Sequence, residues 1–400
     1  MSNKRIVYLL ALAVFLIGTI EYIISGILHM VAADLGITTS SAGMLVTAFA
    51  LSAALGAPVV IAATIQVDRK KMLLIVLGIF ILSSFLAYFS PSFEMMLVTR
   101  VIQGLSGGAA TVIAMAVATR LVEVQHRGRA IGTILMGLSS SLVLGVPAGT
   151  FLSEVVGWRT LFVLVGLLSL IPLLAVFARV PSIAEQRVIT LGMQLSILKN
   201  KKIVFALAIT LFYIGGYSTL FTYIAPYLQA NAELSAAALS GILLLFGLCS
   251  FVGSKFGGMV ADTKGPKFMI YTGLSVQAGM LLLLTWAGGL IYAIIPLIMV
   301  WMVGTWATSP AQQLYMVSLS PHSPDIALSV NTSFIQFGFA FGSAIGGMVI
   351  SGFSIGHLGW SGFFMVLLAL LSAFRLFTYK NKPGHVAVDE NREKRNVCTD

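Results

Sequence analysis

Apolar runs of about twenty residues follow one another along nearly the whole chain, each long enough to cross a bilayer as a helix and each ended by a polar segment. Twelve are predicted: Ile6 to Met30, Ala42 to Ile65, Met72 to Phe89, Met95 to Ala118, Ala130 to Leu152, Thr160 to Phe177, Ile203 to Leu228, Leu239 to Val260, Phe268 to Ala287, Ile291 to Ser309, Ile326 to Ile350 and Trp360 to Thr378. The ninth and tenth meet at Gly288-Gly289 with almost no loop, whereas Arg179 to Lys202 is the longest internal polar stretch and leaves six runs on either side. The pattern predicts an all-α membrane protein: a six-helix bundle over residues 1–178, a linker over 179–202, a second six-helix bundle over 203–379 and a charged tail over 380–400. Lacking apolar periodicity, the tail is expected to be disordered.

The halves echo each other. Gly43 in Ala42-Gly43-Met44-Leu45 corresponds to Gly241 in Ser240-Gly241-Ile242-Leu243, and a short basic loop follows in each half, Asp68-Arg69-Lys70-Lys71 and Asp262-Thr263-Lys264-Gly265-Pro266-Lys267. Many secondary transporters are built from such repeats, with the substrate site near the bilayer midplane between them.

Composition narrows the class. With 58% hydrophobic and 10% charged residues, and a mean hydropathy of +0.98, the chain cannot be a soluble domain with a polar surface. The first run is of full spanning length and leads straight into another, so it is expected to stay in the protein rather than be cleaved as a signal. A net charge of +10 does not indicate nucleic acid, because the basic residues stand in short blocks between spans. Placing the N-terminus in the cytoplasm puts 22 of the 24 Lys and Arg on that side, all but Arg100 and Arg159. Both termini are therefore expected to be cytoplasmic. Cys249 lies in a span and Cys398 in the tail, so no disulfide or thiolate metal site is expected. With no nucleophile–base pair, metal cluster or phosphate loop in the sequence, no enzyme, metal or cofactor is expected.

One acidic residue breaks the apolar pattern. Of the fourteen Asp and Glu, only Glu21 falls well inside a run, where a charge costs roughly 2.5 to 3.5 kcal/mol at helix centre. Gly18, Ser25 and His29 share its face at helical spacing. On the fourth run Arg100, Gln103, Gly107 and Thr111 share a face. At 1.5 Å per residue, Glu21 and Arg100 lie about 5 Å and about 9 Å to the same side of their helix midpoints, depths compatible with direct contact or a water bridge. Burial favours the neutral carboxyl and a cationic neighbour the charged one, so such a pair can take up and release a proton. Two other readings stay open: a permanently protonated Glu21, and an Arg100 that donates to backbone carbonyls and ties the fourth helix to its neighbours. His29, near a helix end, is a candidate relay or simply an interfacial histidine. The fifth run carries Gly137, Gly145, Pro147 and Gly149, small residues that admit a neighbouring helix and a proline that bends their own.

These residues resemble a family. Leu97-Val98-Thr99-Arg100-Val101-Ile102-Gln103-Gly104 is similar to the fourth-helix motif of major facilitator transporters, and Gly145-Val146-Pro147-Ala148-Gly149-Thr150 to their fifth-helix antiporter motif. Glu21-Tyr22 and Gly157-Trp158-Arg159 resemble further features of the twelve-helix drug:proton antiporters and arabinose-efflux-like exporters. The resemblance covers Ile6 to Thr378 and implies the major facilitator fold of two pseudo-symmetric bundles. It implies a proton-driven exporter in the bacterial cytoplasmic membrane, of the multidrug-efflux and antibiotic-resistance kind, with Glu21, Arg100 and His29 as candidates for proton coupling. It also implies a cytoplasmic charge lock in the loop after the second helix of each half. Gly258, Asp262 and Gly265 keep that pattern, whereas the loop holding Asp68 and Arg69 lacks its glycines, so the lock is expected at Asp262 rather than Asp68.

In proteins resembling this one, helices one, four, seven and ten line the cavity. Tyr22, Ser25, Gln103, Tyr213, Tyr217 and Trp306, with Asn331, Phe334 and Gln336 on the eleventh, are the substrate-binding candidates. Aromatic walls with a few amides and one carboxylate suit a small amphipathic, drug-like molecule. A sugar or nucleoside exporter is the alternative. The expected partners are small molecules, protons and the bilayer, and the expected state is a monomer.

Overall fold

Backbone amides withdrawn from water must be bonded within their own segment, and the apolar runs satisfy this as helices. A computed structural model describes residues 3–63, 67–123, 126–182, 191–287, 290–320 and 324–379. The end of the second run at Ile65, Gly288-Gly289, the middle of the linker (183–190) and the tail from residue 380 lie outside the described residues. Among those described, twelve helical spans are long and apolar enough to cross a membrane. In chain order the helices are α1 (Asn3–Asp34), α2 (Thr39–Ala63), α3 (Arg69–Tyr88), α4 (Phe93–Arg120), α5 (Arg127–Ser140), α6 (Val146–Val156), α7 (Trp158–Arg179), α8 (Leu191–Ser196), α9 (Lys201–Phe221), α10 (Ile224–Asn231), α11 (Ala236–Lys264), α12 (Pro266–Trp286), α13 (Ile291–Leu319), α14 (Pro324–Gly352) and α15 (Leu358–Thr378).

Three spans differ from the apolar pattern. The fifth is α5 and α6 joined by a π-helical turn, Ser141–Gly145, placed just ahead of Pro147. The seventh stops at Phe221 and restarts at Ile224, so α9 and α10 are separated by Thr222-Tyr223. The tenth does not end at Ser309: α13 continues through Pro310 to Leu319. A proline inside a buried span deletes one donor, and packing against neighbouring helices holds the helix through it.

The same packing scheme occurs twice. In the first six spans the second and third pack on the fourth, the third on the sixth, and the first on the fifth and sixth. In the last six, α11 and α12 pack on α13, α12 on α15, and α9 on α14 and α15. Across the interface the second span of each bundle meets the fifth of the other, α2 against α14 and α11 against α6 and the π turn. Small residues allow these approaches: a Cβ on Gly145 would overlap the side chain of Thr19 on α1.

The bundles are pinned at the end away from the chain termini. Ser40 Oγ donates to the Gly347 carbonyl at 2.8 Å, and Ser343 Oγ to the Gly43 carbonyl at 3.0 Å. Tyr223, in the break of the seventh span, donates its hydroxyl to the Ser343 carbonyl at 3.0 Å and fills the space a Cβ on Gly43 would need. At the same end Arg159 pairs with Asp34, donates to the Ser90 carbonyl at 3.2 Å and lies 4.4 Å from the Trp158 ring centroid. One cation thus joins the end of α1, the loop after α3 and the start of α7. The ion pair is partly exposed and worth little, so Asp34→Asn should cost less than about 1 kcal/mol in reversible unfolding. Arg159→Ala also loses the carbonyl bond and the ring contact and should cost about 2 kcal/mol; equal costs would contradict this account.

Candidate functional site

Glu21 is buried at mid-length of α1, on the side facing the second bundle. Its Oε1 accepts a hydrogen bond of 3.0 Å from Gln336 Nε2 on α14. The carboxyl group therefore has a partner in the opposite bundle. Beside it is a small cavity of about 10 Å³ lined by Glu21, Tyr22, Ser25, Phe49, Phe221 and Phe339, the space of one water molecule.

Arg100 is fully buried on α4, and of the readings left open for it the structure shows the one in which it donates to backbone carbonyls. Its Nη1 donates to the Ile20 carbonyl at 2.9 Å and to Gln103 Oε1 at 3.0 Å, its Nη2 to the Glu21 carbonyl at 3.4 Å, and its Nε to the Leu45 carbonyl at 3.3 Å. The guanidinium also lies 4.4 Å from the centroid of Phe49. The expected contact with Glu21 is real, but it is to the main chain, and no ion pair joins the two side chains among the described residues. A planar fork of five donors matches a set of carbonyls on neighbouring helices. Arg100 thus ties α4 to α1 and α2.

From Tyr22 an aromatic cluster runs into the second bundle. Tyr22 packs on Phe221 and Phe339 at centroid distances of 6.4 and 5.7 Å. Tyr217 stacks on Phe221 at 4.8 Å and on Trp301 at 5.2 Å, and meets Trp306 and Phe339 edge-on. Nearby, the indole nitrogen of Trp301 and Gln336 Oε1 are buried without a hydrogen-bond partner. Buried groups of this kind are groups a ligand or an ordered water can satisfy.

The structure gathers some of the candidates and separates others. Glu21, Tyr22, Ser25, Tyr217, Trp306 and Gln336 belong to one region, while Gln103 is held by Arg100. Tyr213 and Asn331 are buried in the second bundle, where Gln277 Nε2 donates to the Tyr213 carbonyl and Thr210 Oγ1 to Asn331 Oδ1. Phe334 is half-buried against Phe337 and outside the Tyr217 cluster. His29 is half-buried, and its Nδ1 has no partner. Gly145, Pro147 and Gly149 are buried against α1. Gly258 faces open space and Gly265 turns the chain at φ 88°. Asp262 is exposed and forms no ion pair among the described residues. In the corresponding loop of the first half, Asp68 caps α3 through the Lys71 amide at 3.0 Å and accepts a hydrogen bond from Ser182 beyond α7. Its neighbour Arg69 is buried.

Sequence reasoning missed Phe49, Phe339, Thr210, Gln277 and Gln312. Gln312 Nε2 donates to the Ala206 carbonyl and to Thr210 Oγ1, closing a network with Asn331. Placing the end of the tenth span at Pro310 hid it. Thr210 lies one turn before Tyr213, a spacing that could have revealed it.

The family model described as Major Facilitator Superfamily matches residues 10–343. The chain belongs to the major facilitator superfamily. It is 36% identical to the uncharacterised MFS-type transporter YbcL of Bacillus subtilis, over 96% of this chain and 98% of that protein. It is 25% identical to a probable sugar efflux transporter of Helicobacter acinonychis, over 91% of this chain and 93% of that one. Its fold is also that of a D-xylose–proton symporter crystal structure, with a TM-score of 0.81, 15% identity and coverage of 95% and 98%. This major facilitator protein is a multi-pass membrane transporter and not an enzyme. Removing its buried guanidinium loses three hydrogen bonds to carbonyls on two helices and the contact with Phe49 and leaves a cavity, so Arg100→Ala should cost at least about 3 kcal/mol. Thermal unfolding in detergent checks this, and a loss under about 1 kcal/mol would show that water replaces the side chain.

Proposed function

We propose that the protein is a proton-coupled antiporter of the bacterial cytoplasmic membrane that exports small amphipathic, drug-like molecules by alternating access. The observation that carries this reading is the Glu21 carboxyl group, buried between the bundles, bonded to Gln336 of the opposite bundle and flanked by the Tyr22–Tyr217 aromatic cluster. A carboxyl group there exchanges its proton with whichever side the bundles open to, and the aromatic walls bind an apolar or cationic solute. Charge bookkeeping supports cytoplasmic termini. On that topology the serine clamps at Gly43 and Gly347 close the outer side, and solute enters from the cytoplasm. Residues 1–178 and 203–379 are the two rocking units, acting within a single chain.

A sugar or other polar solute is the second reading. It is favoured by the sugar-efflux relatives and by the unpartnered Trp301 indole nitrogen and Gln336 amide oxygen beside the cluster.

In inverted vesicles with an acid interior, wild-type protein should accumulate a hydrophobic cation, and on the second reading a radiolabelled pentose. Glu21→Gln should abolish accumulation against a gradient while keeping thermal stability and solute binding. Undiminished pH-driven accumulation by a folded Glu21→Gln variant would remove the carboxyl group from the mechanism.

A further inference from the structure

Away from the bundle interface, a groove of about 600 Å³ lies at the turn between α11 and α12, on the outward face of the second bundle. Lys264 ends α11 and Lys267 stands in the first turn of α12, both exposed. Among the described residues neither is paired with a carboxylate, and nearby Asp262 is exposed and forms no ion pair. Their ammonium groups rest over aromatic rings, Lys264 Nζ 5.1 Å from the Phe268 centroid and Lys267 Nζ 5.5 Å from that of Phe377. Tyr271 packs on the same Phe377 at 5.4 Å. The groove continues down α12 past Thr272 and Ser275 to Val276, about 15 Å below the turn.

Along that length two cations stand at the mouth, the Phe268 and Tyr271 rings lie just beneath them, and Thr272, Ser275 and Val276 line the lower part. A turn between two spans sits at the bilayer surface, so the mouth lies at headgroup level and the foot beside hydrocarbon. An anion with hydrocarbon chains, already resident in that leaflet, offers a charge to the two cations and carbon to the rings and to Val276. We propose that this groove binds one acidic phospholipid, its phosphodiester between Lys264 and Lys267 and an acyl chain along Tyr271 and Val276. The chain's own tail begins near Phe377 and is the competing occupant. Its five Lys and Arg outnumber its four Asp and Glu, so it offers the two lysines no net negative charge. The lipid site is independent of the transport reading.

Native mass spectrometry of the full chain in detergent, with phosphatidylglycerol and phosphatidylcholine of equal chain length in competition, tests the site. Wild type should retain one phosphatidylglycerol in preference. Lys264→Gln with Lys267→Gln should lower that preference about thirtyfold, from two basic residues near an anionic surface. Lys264→Arg with Lys267→Arg should keep it, and a charge-matched control, Lys201→Gln with Lys202→Gln, should leave it unchanged. Equal preference in wild type and the Gln pair would overturn the proposal. So would an equal loss in the control, competition by glycerol phosphate as strong as by the lipid, or lipid retention that begins only when residues 380–400 are deleted.

Discussion

Two ionisable side chains deep in an apolar bundle each require a partner, and the protein gives them partners of different kinds. Arg100 is bonded to carbonyls of α1 and α2 and to Gln103 of its own helix, all inside the first bundle. Glu21 is bonded to Gln336 in the second. The cation is therefore satisfied whether the bundles are together or apart. The carboxyl group is satisfied by a partner that relative motion of the bundles can remove. An unpartnered buried charge is costly, so on the proposed antiport reading bundle position and the proton content of Glu21 are linked without any direct pairing of the two side chains.

That division was only partly legible in the sequence. Position alone singled out Glu21 and Arg100, because a charge inside an apolar run is rare and needs a reason. Main-chain oxygens were one of the readings open for the guanidinium, but which of them it takes was not, since every residue carries a carbonyl and spacing cannot rank them. Helix number and the two-bundle plan could be read because each apolar run matches the bilayer thickness. The π turn at Ser141–Gly145, the break at Thr222-Tyr223 and the continuation through Pro310 could not, because packing against other helices decides each of them. The basic loops show the same limit. Motif spacing favoured Asp262, yet Asp68 makes the contact with Ser182, which depends on where the chain after α7 returns in space.

The two interruptions of helical geometry both fall where bundles meet. The π turn lies between α1 and α11, and Tyr223 between α2 and α14. Irregular backbone is tolerated at membrane depth only where protein surrounds it, and an interface between two packed units meets that condition. Both breaks can absorb small rotations that a continuous helix would transmit to its whole length.

The clamps at the far end from the termini have an unequal genetics. Ser40 and Ser343 supply hydroxyls, but what they grip is the main chain at Gly347 and Gly43. Side-chain replacement on the accepting side changes crowding and leaves the oxygen in place. Loss of grip without loss of fit is therefore available at two positions only, and evolution can retune how firmly this end shuts by editing one hydroxyl at a time.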